Sequence, residues 1–214
     1  INKIISLLTL KDYENAIEIS LNSLSIFPND FDMNYFLGIA YYSTEKFIEA
    51  ESYYAKSLKI DNDSIPAMHG LAMAYDKNKK WEKSDQLYID LIARNTKDAQ
   101  AYNNYAYSLV ERNEEIDYAL TLAEKAIQLS PKTSPYLDTI GWIYFKLGNL
   151  EKAKEFIAES IVYDDSSAVV LEHYGDVLIA LEEKDEALIF YKKALELDQD
   201  NSALSEKISS YENQ

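Results

Sequence analysis

Cysteine is absent from this 214-residue chain. That removes disulfides, thiolate nucleophiles and most structural zinc sites, and it is compatible with a reducing or an oxidising compartment. Glycine (5) and proline (4) are scarce, and no Gly/Ser-rich or Pro-rich linker marks a boundary, so one continuous domain over residues 1–214 is the expectation. Histidine occurs only as His69 and His173. Neither has a second His or Cys at ligand spacing on its helix, and two distant histidines do not supply the nucleophile, base and orienting group of a hydrolase. No catalytic residue, metal or cofactor is therefore expected. No apolar run approaches the 18 residues of a membrane-spanning helix. Bases are in deficit, 21 against 37 acids for a net charge of −16, and such a surface repels phosphate backbones and anionic headgroups. Nucleic acid and the membrane surface are not expected partners.

What the chain does have is a repeat. Residues 134–167 hold one complete copy, in which small residues at Gly141, Ala153 and Ser160 allow two amphipathic helices to approach across a turn at Gly148-Asn149. Leu137, Ile140, Tyr144, Leu150 and Ile157 fill the space around the contact. The Gly141 position recurs as Ile4, Gly38, Ala72, Ala106, Gly141 and Gly175, and the Ala153 position as Ala16, Ala50, Ser84, Ala119, Ala153 and Ala187. The Tyr144 position gives Leu7, Tyr41, Tyr75, Leu109, Tyr144 and Leu178. The period is about 34 residues. One residue is inserted within Glu111 to Asp117, at the inter-helix turn where insertion costs little.

A large residue, then Leu-Gly, a Tyr, a small residue, an aromatic and a closing Pro resemble the tetratricopeptide repeat. The resemblance covers essentially the whole chain, with departures where the closing Pro survives only as Pro28 and Pro131, where Leu91 replaces a small residue, and where Lys184 replaces a large one. It implies an all-α fold, an α-solenoid of about six helix-turn-helix repeats in a right-handed superhelix. The repeats are 1–30 (incomplete at its start), 31–64, 65–98, 99–133, 134–167 and 168–201, followed by a polar-backed capping helix over 202–212 with Leu204, Ile208 and Tyr211 at helical spacing. At the other end, Ile1, Ile4, Ile5, Leu7 and Leu8 are expected to form an apolar edge, read as the mark of further repeats before it or of a meeting with another chain.

The resemblance also implies that partners lie along a groove lined by the first helices. Offsets of three and four share a helix face, which places Tyr35, Ile39 and Tyr42, then His69, Met73, Asp76 and Lys77, then Asn103, Tyr107, Val110 and Glu111, then Asp138, Trp142, Phe145 and Lys146, then Glu172, Asp176 and Ile179 on one exposed, aromatic and acidic stripe. Tyr42 and Phe145 are expected to pack, Trp142 and Tyr107 to face the groove, and His69 and His173 to be ordinary surface or groove histidines. The Lys, Asn and Arg set with which some family members hold a C-terminal carboxylate is missing. Asn104 alone matches, against Tyr35, Ile39, Pro135 and Thr139 elsewhere. Asp61, Asp63, Asp164, Asp165, Asp198 and Asp200 fall in the turns between repeats, and Asp198–Ser202, the nearest approach to a calcium loop, reads instead as a capping turn.

These residues point to a non-catalytic scaffold or adaptor that binds a peptide segment, basic or neutral with apolar anchors. Two alternatives stand beside it: a homo-oligomer assembled through the N-terminal edge, and the substrate-selecting arm of a larger enzyme such as a glycosyltransferase. AYNNYAYSL and LDTIGWIYF resemble consecutive units of bacterial multi-repeat proteins, many of them envelope lipoproteins that serve as adaptors, and by that analogy the bacterial envelope is favoured over the cytoplasm.

Overall fold

The periodicity resolves into helices in a computed structural model, which describes residues 1–212. Contacts divide the chain into two lobes, one from Ile1 to Thr96 and one from Lys97 onward. The N-terminal lobe contains α1 (Asn2–Thr9), α2 (Tyr13–Ile26), α3 (Phe31–Ser43), α4 (Phe47–Ile60), α5 (Ile65–Lys77) and α6 (Trp81–Arg94). The C-terminal lobe contains α7 (Ala99–Glu111), α8 (Ile116–Leu129), α9 (Ser134–Lys146), α10 (Leu150–Tyr163), α11 (Ala168–Ala180), α12 (Lys184–Leu197) and α13 (Ser202–Glu212). No strand occurs among the described residues. In each lobe the helices pair as antiparallel hairpins, and first helices also touch the first helices of adjacent hairpins: α1 meets α3, α3 meets α5, α7 meets α9, and α9 meets α11.

The turn inside each hairpin is three residues long except one. Lys11, Glu45, Lys79, Gly148 and Glu182 each take a positive φ there, between 57° and 77°, which lets the chain leave one helix and re-enter the next without a longer loop. The inserted residue of the fourth repeat sits where the sequence placed it. Residues 112–115 separate α7 from α8, and two of them, Asn113 (φ 56°) and Glu115 (φ 44°), are left-handed. Some acids and amides of the turns between repeats act as caps, while Asp61 and Asp164 accept from the Asp63 and Ser166 N–H groups inside their own turns and Asp63 pairs with Arg94. Asp30 accepts from the Met33 N–H at 3.0 Å, Asp98 from Ala101 at 3.0 Å and Asn201 from Leu204 at 3.0 Å, the last inside the Asp198–Ser202 stretch.

Small residues and one large residue per hairpin interlock at the helix crossings. In the N-terminal lobe Tyr54 of α4 lies against two glycines: a Cβ on Gly38 would come 2.5 Å from its ring and a Cβ on Gly70 2.4 Å. In the C-terminal lobe Tyr191 of α12 approaches Gly175 in the same way at 2.4 Å, and Ile157 of α10 approaches Gly141 at 2.5 Å. Leu91, a departure from the small-residue pattern, is fully buried in α6. α13 buries Leu204 and Ile208 and packs on α12, as a polar-backed terminal helix should. At the N-terminal edge the expectation needs correction at one position. Ile4 is not part of an exposed edge, because it is buried in a cluster with Ala16 and Met33, with Leu7 and Leu8 packed partly against it, while Ile1 and Ile5 are exposed.

Gly141 gives a direct test of this packing. A Cβ there would also lie 3.2 Å from the Ile157 backbone nitrogen and 3.3 Å from the Ala153 carbonyl oxygen. Ile157 can rotate, but the backbone atoms cannot yield unless α9 and α10 part. Gly141→Ala is therefore expected to destabilise the chain by about 1–2 kcal/mol: roughly 1–3 kcal/mol of overpacking, less up to ~1 kcal/mol of gained helix propensity. Urea denaturation measures it, and a raised midpoint would refute the close approach.

Candidate functional site

In the N-terminal lobe the predicted stripe lies on α3 and α5. Tyr35 is half-buried, stacked on Phe31 with centroids 6.0 Å apart and tilted against Tyr54 at the same distance. Ile39 and Tyr42 are packed against the cluster around Tyr54 and Leu71. Tyr42 also meets Phe47 edge-on at 5.3 Å, and burial, with the Asp76 charge adding to it, pushes its phenol up to about 12. His69 is buried and Met73 half-buried. Asp76 accepts a 2.8 Å hydrogen bond from the fully buried Tyr88, whose hydroxyl is held well above its ordinary range by burial first and by Asp76 second.

In the C-terminal lobe the stripe runs over α7, α9 and α11 and closes into a linked network. Glu111 of α7 accepts from the Trp142 indole N–H of α9 at 3.0 Å. The Trp142 ring stacks on Phe145 at 4.8 Å and on His173 of α11 at 4.0 Å, both within 10° of parallel, and the Lys146 ammonium lies 4.5 Å over it. His173 Nδ1 lies 3.0 and 3.1 Å from the two Asp138 oxygens. Burial of the His173 ring disfavours its charge. Asp138, by charge and hydrogen bond, and the charges of Glu111 and Asp176 outweigh that and hold the imidazolium above its ordinary range. Beyond it, Lys207 of α13 donates to Glu172 and to Asp176, each at 2.8 Å, and Asp176 also accepts from Tyr191 at 2.6 Å. Burial works against the Lys207 charge too, and the hydrogen bonds to Asp176 and Glu172 overcome it, raising its affinity for the proton.

Three expectations change. The stripe is exposed only at Lys77, Glu111 and Lys146: His69, Asn103, Val110, Asp138 and Trp142 are buried, and Tyr35, Ile39, Tyr42, Met73, Asp76, Tyr107, Phe145, Glu172, Asp176 and Ile179 are half-buried. Trp142 does not face an open groove but is 7% exposed, because α11 brings His173 flat against it. The two histidines are interior residues, not surface ones. The acids of the stripe are also largely engaged within the chain. His173 of α11 and Lys207 of α13 stand one period apart and bond Asp138 and Glu172, each 35 residues before them. Glu111 and Asp176 hold Trp142 and Lys207 at a separation of 31. Sequence reasoning missed His173, Lys207 and Tyr191 as members of this network. The readable signal was there: complementary residues one period plus one, or one period minus three, apart.

Two residues of the stripe remain distinct. Tyr107 is half-buried on α7. Asn103, one helical turn earlier, is buried with its side-chain oxygen accepting no hydrogen bond from the described residues, while its amide reaches only Asn104 at 3.4 Å. Among the described residues there is no group of three or more His, Cys, Asp or Glu side chains able to hold a metal, and no helix long and apolar enough to cross a membrane.

Repeated helical hairpins, small residues at their crossings and first helices laid side by side define a helical-repeat protein of the α-solenoid class. A family profile described as "Tetratricopeptide repeat" matches residues 31–64, 134–164 and 168–201, and these three hairpins are tetratricopeptide repeats. The chain is 27% identical over 204 residues to "TPR repeat-containing protein MJ1428" of Methanocaldococcus jannaschii, covering 87% of this chain and 34% of that protein. It is 41% identical over 69 residues to "Superkiller protein 3" of Schizosaccharomyces pombe, covering 32% of this chain and 5% of that protein. The chain thus spans about a third or less of the length of these relatives. Among solved structures it matches a chain of the "APC/C hetero-tetramer Cut9-Hcn1" with a TM-score of 0.85 at 17% identity, over 97% of this chain and 41% of that one, a likeness of fold alone. Proteins built from these repeats commonly mediate protein–protein interaction, and the fold is generally a non-catalytic scaffold.

Proposed function

We propose that this chain is a non-catalytic scaffold that binds a peptide segment of a partner protein on the faces of its first helices. The observation that carries the reading is the pair of half-buried aromatic rings on that face of the C-terminal lobe, Tyr107 and Phe145; the N-terminal lobe has Tyr35 and Tyr42 half-buried on its own first helix α3. Rings held in place by neighbours and still partly accessible lose little entropy when a partner covers them, and such aromatics dominate interface energetics. MJ1428 is named for the repeat, and the Cut9-Hcn1 match carries the same fold within a hetero-tetramer.

The partner is basic or neutral. Asp138, Glu172 and Asp176 are already engaged by His173 and Lys207, so the preference for a basic segment comes from the net charge of −16 acting at a distance rather than from those carboxylates in contact. That field raises association rate more than affinity. With basic, aromatic-anchored peptides in calorimetry, Tyr107→Ala and Phe145→Ala are each expected to weaken binding by about tenfold or more, roughly 1.4 kcal/mol. Raising salt from about 50 to about 500 mM should slow association with a smaller change in dissociation. Unchanged affinity in both variants would remove this face as the binding site.

A further inference from the structure

We propose that His173, Asp138 and Trp142 form a proton-dependent latch between α9 and α11. The imidazole lies flat on the Trp142 indole, 4.0 Å between centroids, with Nδ1 held between the two Asp138 oxygens at 3.0 and 3.1 Å, and all three residues are buried. An ionised carboxylate only accepts, so Nδ1 carries a hydrogen in either protonation state of the ring. What changes with pH is the second proton, and with it the charge.

The charged groups around the ring are of one sign. Asp138 faces it from α9; Glu111 of α7, the acceptor for the stacked indole, and Asp176 of α11 itself act on it by charge. Asp176 is in turn held by Lys207 of α13 and by the Tyr191 hydroxyl of α12, and Lys146 of α9 lies over the indole. With both protons on, the pair is a charge-assisted bridge and the imidazolium is a cation on an indole face. With one proton lost, a buried carboxylate keeps a neutral hydrogen bond and no compensating charge, which weakens the joint between α9 and α11.

The direction follows from linkage. The folded chain holds the His173 proton more tightly than an unfolded histidine, whose ordinary value is 6.5. The contribution of protonation to stability is therefore complete below that value and is lost as pH rises through the higher folded-state one. The latch is independent of which partner the scaffold takes.

The chain has only two histidines, so ring-carbon NMR of the whole chain resolves them, with His69→Gln for assignment. His173 is expected to titrate above 6.5 and to fall toward it in Asp138→Asn. A protonated imidazole quenches the indole it stacks on. Tryptophan emission should therefore rise with pH through the same midpoint in the wild type and not in His173→Gln, with Trp81 common to both. The thermal midpoint of the wild type should exceed that of His173→Gln by a margin that shrinks between about pH 6 and about pH 9. A His173 midpoint at or below 6.5, or a margin that does not vary with pH, overturns the latch. Should His173→Gln fail to fold, Asp138→Asn is compared in its place, with the same shrinking margin expected.

Discussion

Tyr54→Ala is expected to destabilise the N-terminal lobe by about 3–5 kcal/mol, the range for emptying a buried aromatic site. Tyr54 is 5% exposed and fills the space that Gly38 and Gly70 leave open on two consecutive first helices. Removing its ring leaves a cavity lined by those glycines, by Leu71 and by the partly buried Tyr35 and Ile39. Glycines have no side chain with which to collapse into the gap, so relaxation recovers little. The loss is a large part of the roughly 5–15 kcal/mol by which a domain is stable. In denaturant, the N-terminal lobe should unfold first, detected by earlier loss of amide protection in α3 and α5 than in α9 and α11. A loss below about 1 kcal/mol would mean that Tyr54 is not the wedge between α3 and α5. Tyr54→Phe should recover most of the stability, because the wedge is the ring.

Trp142→Ala is the second large effect, also about 3–5 kcal/mol. The substitution removes the stack with Phe145 and His173 and leaves Glu111 without its indole donor. Its value lies in separating packing from partner binding. If Trp142 is chiefly a structural residue, as its burial argues, the variant loses stability while the molecules that remain folded keep more of their peptide affinity than Tyr107→Ala molecules do. Denaturant unfolding gives the first quantity and calorimetry below the transition the second. A stable Trp142→Ala that no longer binds peptide would return this residue to the open face.

The repeat was legible because its determinants are local. Gly38, Gly141 and Gly175 stand at helix crossings, Ala50, Ala153 and Ala187 recur opposite them, and Gly148 sits at a turn that needs a positive φ. Each follows from helix geometry within one hairpin. Even the inserted residue between α7 and α8 could be placed, since a turn accommodates it and a helix does not. The stripe was harder. Which residues share the outer face of a first helix is fixed by the 3.6-residue period, so Asp138, Trp142 and Phe145 were correctly grouped with one another. Whether that face stays open depends on what the next first helix carries.

The sequence by itself determined the class of fold and the absence of cysteine, because composition and helical periodicity are properties of the chain alone. Only the tertiary structure decided that Trp142 is stacked under His173, that Asp138 and Glu172 are bonded from α11 and α13, and that Tyr107 and Phe145 are half-buried. Those outcomes depend on the rise and rotation between successive first helices, which bring residues 31 and 35 apart into contact. That displacement is set by how side chains interlock between hairpins, a long-range property that no local period encodes.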